Sequence, residues 1–306
     1  MAEHRRPLFF VALILMAFVA WLLSLLAGPP VTGEPVTPRF VTGFSVGAML
    51  AMAGVLLQVL LRNPLAEPYV LGISGGATVA TLAVMVSGLG GFWLTGSAFV
   101  GSLLSMVTVF VLGRSAGPLS SERTLLTGIV LAAGWSALIS FLLAIGPEQS
   151  LREHLFWLMG DLAHPASPWW ALLVLLLAWI AGWVMATGLD LMARGDEMAM
   201  VLGVEVWRMR LTCYLLVALL VALAVSLAGP IGFVGLLVPH LMRLLVGAQH
   251  RLLIPAALLS GGSVMVLLDL LARQLVADGQ LPVGVLTAVV GVPVFLWLLR
   301  RQGRAG

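Results

Sequence analysis

Apolar residues run along this chain in long stretches separated by short polar breaks. A membrane-crossing helix needs about 20 consecutive apolar residues. Ten stretches meet or approach that length: 8–27, 41–61, 69–87, 92–112, 124–145, 169–188, 209–228, 232–247, 254–276 and 283–299. The third and the eighth stand apart, since both are short, glycine-rich and flanked by proline. The pattern predicts an all-α polytopic membrane protein of about ten transmembrane helices, in a single domain over 1–306. The first stretch follows His4, Arg5 and Arg6, and Gly28-Pro29-Pro30 is a poor cleavage site. It therefore reads as a retained span rather than a removed signal. Two polar segments are too long for simple turns, 146–168 and 189–208.

Composition agrees with lipid as the main solvent. The chain is 61% hydrophobic and 9% charged over 306 residues, whereas soluble domains carry about 45–50% apolar and about 25% charged residues. All sixteen basic residues are arginine and lysine is absent. A phosphate-binding P-loop needs a lysine to reach the nucleotide, so ATP hydrolysis, if the protein uses any, must come from a partner. The net charge of +3 is spread along the chain, which does not suggest nucleic-acid binding. The arginines report topology instead. With the N-terminus inside, thirteen fall on inner segments and only Arg39, Arg152 and Arg273 on outer ones. Arginine favours cytoplasmic loops, so both termini are placed in the cytoplasm. The lone cysteine, Cys213, lies in an apolar run and reads as a packing residue.

Several segments carry candidate chemistry. The second stretch ends in Arg62-Asn63-Pro64-Leu65-Ala66-Glu67-Pro68. Two prolines four residues apart predict non-helical backbone. Such backbone at membrane depth survives only when buried in protein or lining water, so the segment is either a gate at the mouth of a pathway or an ordinary turn. Glycines 43, 47, 54, 72, 75 and 76 have the spacing that lets membrane helices pack closely. Residues 195–203 predict a helix of about two turns, capped by Asp196 and Gly203 and exposing Met198, Met200, Val201 and Leu202. It either docks a partner groove or packs on its own domain. The eighth stretch begins with Gly229-Pro230-Ile231-Gly232, which opposes a smooth helix there. Asp269 is the one carboxylate deep in a predicted span and is a functional candidate on that ground. An ion pair with Arg273, one turn on, is its structural alternative. His154, Asp161 and His164 lack compact metal-ligand spacing.

Together these segments resemble the FecCD-type permeases of type II ABC importers, over about residues 38–301. The blocks that carry the resemblance are Gly54 to Gln58 with Arg62 to Gly72, Trp157 to Leu162, Leu202-Gly203-Val204, Gly229 to His240 with Arg243, Asp269 to Arg273, and Leu281 to Pro293. The resemblance implies a type II importer permease fold, a homodimer with its pathway on the two-fold axis, and two cytoplasmic ABC ATPase subunits holding ATP and Mg. It also implies a periplasmic or lipid-anchored substrate-binding protein, a place in the bacterial inner membrane, and no cofactor on this chain. Carried over by position, Asn63 and Leu65 fall at a cytoplasmic gate, with Ser121 and Glu122 beside it. Segment 189–206, with Asp196, Glu197, Met198, Met200, Val201, Leu202 and Gly203, falls where the ATPase couples. Arg39 and Arg273 fall where acids of a binding protein dock. The family often has Arg-Leu-Pro-Arg before the second span. Here Val36-Thr37-Pro38-Arg39 lacks the first arginine, which implies either weaker docking or the use of Arg152.

The expected function is import of a metal chelate (ferric siderophore, haem or cobalamin) by alternating access. An ion-coupled secondary transporter would need more ionisable groups at the midplane and often inverted repeats. An integral-membrane enzyme would have to use the outer His154, Asp161 and His164. The absence of lysine carries one direct expectation. The purified chain alone will show no ATPase activity above a protein-free blank, and phosphate release by the lone chain would contradict it.

Overall fold

The computed structural model describes residues 5–27, 35–69, 71–114, 121–162, 169–276 and 280–302. Among them the chain forms twelve α-helices and no strand. They are α1 (Arg5–Leu26), α2 (Val36–Leu60), α3 (Ile73–Val86), α4 (Phe92–Arg114), α5 (Ser121–Ile145), α6 (Leu151–Leu158), α7 (Trp169–Met192), α8 (Asp196–Val201), α9 (Val206–Ala228), α10 (Val234–Val246), α11 (His250–Gln274) and α12 (Val283–Gln302). Ten of them coincide with the ten apolar stretches. The other two, α6 and α8, lie in the polar segments. The agreement has a simple cause: in hydrocarbon a chain must satisfy its own backbone, and a helix does so within one segment.

Seven helices are long and apolar enough to cross a membrane, while α3, α10 and the apolar part of α12 are shorter. The 14 residues of α3 and the 13 of α10 cover about 20 Å at 1.5 Å per residue, against about 30 Å of hydrocarbon. In both, irregular chain replaces the missing N-terminal turns: 61–69 and 71–72 before α3 and 229–233 before α10.

α2 is the axis of the molecule. Between Val41 and Leu60 every residue except Phe44 is buried, and the helix packs against α11, α9, α10 and α7. Inside a membrane, helix association rests on close packing rather than on contrast with lipid. Paired glycines supply that closeness. A Cβ on Gly47 would lie 2.2 Å from the carbonyl oxygen of Gly261 on α11, and one on Gly76 2.5 Å from that of Gly101 on α4. Further along α2, a Cβ on Gly54 would lie 1.8 Å from the Gly235 carbonyl in the first turn of α10. α5 and α1, by contrast, turn mostly exposed Leu, Ile, Val and Phe outward.

The two ends of the bundle differ in charge. Arg62, Arg194, Arg208, Arg210 and Arg251 cluster at one end, with α8. Arg39, Arg152 and Arg273 lie at the other, with α6.

The Gly54 contact yields a test. Gly54→Ala will lower the thermal unfolding midpoint in detergent, since overpacking a tight site costs about 1–3 kcal/mol. An unchanged midpoint would show that α2 and α10 can separate without penalty.

Candidate functional site

Segment 61–72 leaves α2 at the arginine-rich end and climbs back into the bundle. Arg62 takes a left-handed backbone conformation, φ 47°, which reverses the chain. The Asn63 side chain then closes a turn by accepting from the Leu65 amide at 2.9 Å. The Asn63 and Ala66 amides donate to the carbonyls of Gln58 and Asn63, both at 3.1 Å. The chain reaches Gly72 beside Gly128 and Ala132 of α5. Those residues lie seven and eleven positions into that helix, about 10–16 Å along it. Asn63 and Leu65 are half-buried, Ala66, Glu67 and Pro68 fully buried. This is the protein-buried case in which irregular backbone is tolerated at membrane depth, so the segment is more than a surface turn.

Segment 229–233 meets it. Glycine permits φ 68° at Gly229. Phe233 also adopts a left-handed conformation, φ 70°, as the residue preceding α10. Its amide is one of the donors a helix start leaves without an intrahelical partner, and it donates to the buried carboxylate of Glu67. A carboxylate also suits the positive end of the helix dipole. Alongside, the Gln58 amide donates to the Leu236 carbonyl at 3.2 Å. Glu67, Pro68, Tyr69 and Ser74 line a small cavity with Ile231 and Gly235. The two interruptions in the apolar pattern are thus one packed unit.

At the arginine-rich end, α8 presents Met198, Met200, Val201 and Leu202, all more than half exposed, with Val201 at 83%. Gly203 ends the segment at φ 83°, as its position predicts. Asp196 does not cap this helix. Gly195 occupies the cap position, and Asp196 instead accepts from Arg210 of α9 at 2.6 Å and lies 3.7 Å from Arg62. Nearby, Asp190 at the end of α7 accepts from the His250 amide at 2.9 Å and pairs with its ring Nδ1 at 2.6 Å.

At the opposite end, Asp269 lies 3.4 Å from Arg273. Arg39, far away in sequence, makes the stronger contact, with Nε and Nη2 on the two carboxylate oxygens at 3.0 and 2.8 Å. All three side chains are at most 7% exposed. The two expected docking arginines thus point into the protein. Arg152 is exposed and stacks its guanidinium over Phe156 at 5.7 Å. The segment containing α6 packs on the second interruption: the Asp161 amide donates to the Ala228 carbonyl at 2.9 Å, and Gly284 to Gly160 at 3.1 Å.

Of the remaining candidates, His154 is buried in α6. Asp161 accepts from Gln280 at 3.2 Å, and His164 lies outside the described residues. Among those residues no three His, Cys, Asp or Glu groups converge as metal ligands. Ser121 and Glu122 begin α5, and their side chains lie outside the described part. The structure joins Arg62 to Asp196 and Glu67 to Phe233, two contacts that sequence reasoning missed. The available signal was an acid set between prolines in an otherwise apolar region.

The comparisons with known proteins point one way. The FecCD transport family matches residues 31–301. The chain is 42% identical over 275 residues to the hemin transport system permease protein HmuU of Yersinia pestis, covering 87% of this chain and 81% of that one. It is 39% identical over 270 residues to the vitamin B12 import system permease protein BtuC of Vibrio cholerae, with the same coverage. Among solved structures, a metal-chelate type ABC transporter in an inward-facing conformation superposes with a TM-score of 0.84 at 31% identity, covering 96% of this chain and 99% of that one. PsaBC from Streptococcus pneumoniae, in complex with a Fab, reaches 0.60 at 17% identity, covering 85% and 90%, a likeness of fold alone.

The buried cluster yields a test. Removing one partner of a buried ion pair costs about 3–5 kcal/mol, because the other charge stays uncompensated. Asp269→Ala will therefore lower the unfolding midpoint more than Arg39→Ala combined with Asp269→Ala does. Equal or additive losses in thermal unfolding would refute the pairing.

Proposed function

The chain belongs to the FecCD transport family, and from that premise we propose that it is the membrane-spanning subunit of a bacterial ATP-driven importer that moves a metal chelate by alternating access. It is a transport component rather than an enzyme, and the ATPase is a separate subunit. The cargo class we assign is ferric siderophore, haem or cobalamin, by likeness to relatives named for hemin and vitamin B12. We place the protein in the inner membrane with both termini in the cytoplasm, following the arginine asymmetry. In this reading it works as a homodimer with two ATPase subunits, each holding ATP and Mg, and with a periplasmic or lipid-anchored binding protein.

One observation carries the reading beyond family membership. A helix of 6 residues turns three large apolar side chains outward at the arginine-rich end, outside any apolar span. Apolar side chains on a short exposed helix suit a partner groove. We therefore assign Asp196 to Gly203, including Glu197, to ATPase coupling. Asn63 and Leu65, on the segment that climbs from that end, form the cytoplasmic gate, with Ser121 and Glu122 at the start of α5. Docking of the binding protein lies at the opposite end, over the Arg39–Asp269–Arg273 cluster. With Arg39 and Arg273 buried there, exposed Arg152 is the arginine an incoming acid meets first. The carboxylate that favoured an ion-coupled transporter, Asp269, is neutralised by two arginines near the end of its helix, so the midplane acid that mechanism needs is not found there.

The test is reconstitution with the cognate ATPase. Val201→Asp in α8 will weaken ATPase binding about thirtyfold or more, as expected for a central anchor residue, and the ATPase will be lost on co-purification. In proteoliposomes carrying a loaded binding protein, uptake of hemin or cyanocobalamin will require ATP and survive an uncoupler. Retention of the ATPase by the variant would refute the coupling assignment. Uptake abolished by an uncoupler and indifferent to ATP would refute the importer reading.

A further inference from the structure

Two residues other than glycine have a positive φ among the described residues, Arg62 and Phe233. A side chain with a Cβ is disfavoured there and persists only where its surroundings over-determine it. Each is tied to a carboxylate. Arg62 lies 3.7 Å from Asp196 at the start of α8, and the Phe233 amide donates to Glu67. Arg62 and Glu67 sit at the two ends of one short segment.

That segment has little internal slack. Pro64 and Pro68 fix their own φ. Just before Pro64 the Asn63 side chain closes a turn on the Leu65 amide at 2.9 Å, and the Ala66 amide donates to the Asn63 carbonyl at 3.1 Å. Beyond Glu67, the Ile73 amide donates to the Pro68 carbonyl at 3.2 Å, joining the segment to α3. Asp196 is held independently by Arg210 at 2.6 Å, so its carboxylate has a defined position from which to engage Arg62. A segment with an ion-pair contact at one end, a hydrogen bond at the other and stiff chain between them moves as a body.

We propose that residues 62–68 are a strut between the surface helix α8 and the start of α10, and that Arg62, Asp196 and Glu67 are positioning residues that pass displacement of α8 to α10. The proposal rests on the importer reading, in which the ATPase moves α8. It adds a route from that helix into the membrane. An ion pair as exposed as Arg62–Asp196 adds little to stability. Its role is therefore separable from folding, which makes the pair testable.

The experiment uses the complex with its ATPase in lipid nanodiscs. A spin label is placed at exposed Tyr69 by Tyr69→Cys in a Cys213→Ala background, and its spectrum is recorded with and without ATP and vanadate. The label signal will shift on ATP binding. Arg62→Gln and Asp196→Asn will each shrink that shift by about threefold or more, within the range of coupling changes produced by single residues. The double variant will do no worse than either single one, since both act on the same contact. Glu67→Ala will also shrink the shift, while Glu67→Gln, which keeps an acceptor for the Phe233 amide, will retain it. Variants are compared only as assembled complexes, and Arg62→Gln, at an exposed side chain, serves if others assemble poorly. No shift in the parent complex, or equal shifts in all variants, would overturn the strut. Failure of the parent chain to bind any ATPase would instead overturn the importer reading.

Discussion

The hydrocarbon interior leaves a peptide group no water to bond, and most of this structure follows from that constraint. About four-fifths of the described residues meet it by staying helical. Segments 61–72 and 229–233 do not, and they close on one another. Glu67 supplies the acceptor that the first amide of α10 lacks, and Gln58 reaches across to the Leu236 carbonyl. Neither interruption would be tolerable alone at that depth. The glycine contact between Gly54 and Gly235 brings the two backbones close enough for both bonds.

The few charges serve the same economy. Asp269 joins α11 to α2 through Arg39, Asp190 joins α7 to α11 through His250, and Asp196 joins α8 to α9 through Arg210. Asp269 and Asp190 tie elements far apart in sequence, while Asp196 ties consecutive helices. In a chain with so few ionisable groups these ties lie at the two ends of the bundle, and pairing offsets the cost of burying the charge. Glu67 is the acid drawn furthest inward, and it caps a helix.

A permease without its own nucleotide site must receive force from another chain. In the reading proposed above, that force enters at α8, the apolar helix at the arginine-rich end. The irregular segments offer a place for it to act. Helical spans resist deformation because each turn is bonded to the next. An irregular segment held to its neighbours by a few side-chain contacts lacks that ladder and can shift as a body, which is why moving parts concentrate in such regions.

Much of this was legible in the chain. The span pattern, the short α3 and α10, and the surface helix ended by Gly203 follow from local hydropathy and local backbone chemistry. The family resemblance rests on blocks such as Arg62 to Pro68 and Gly229 to His240. Those are the segments where helix breaks, and the sequence located the breaks without showing their geometry. Pairings were not legible. Asp269 could be matched with its neighbour Arg273 by spacing, but the bidentate partner is Arg39, 230 residues away. Asp196 looked like a helix cap and instead bonds Arg210, with Arg62 3.7 Å away. Glu67 gave no sign that it caps α10. The physical reason is the same in each case. Hydropathy and turn propensity act between residues a few positions apart, and the sequence by itself determines what they produce. The partner of a buried charge depends on which helices pack together, and only the tertiary structure decides that.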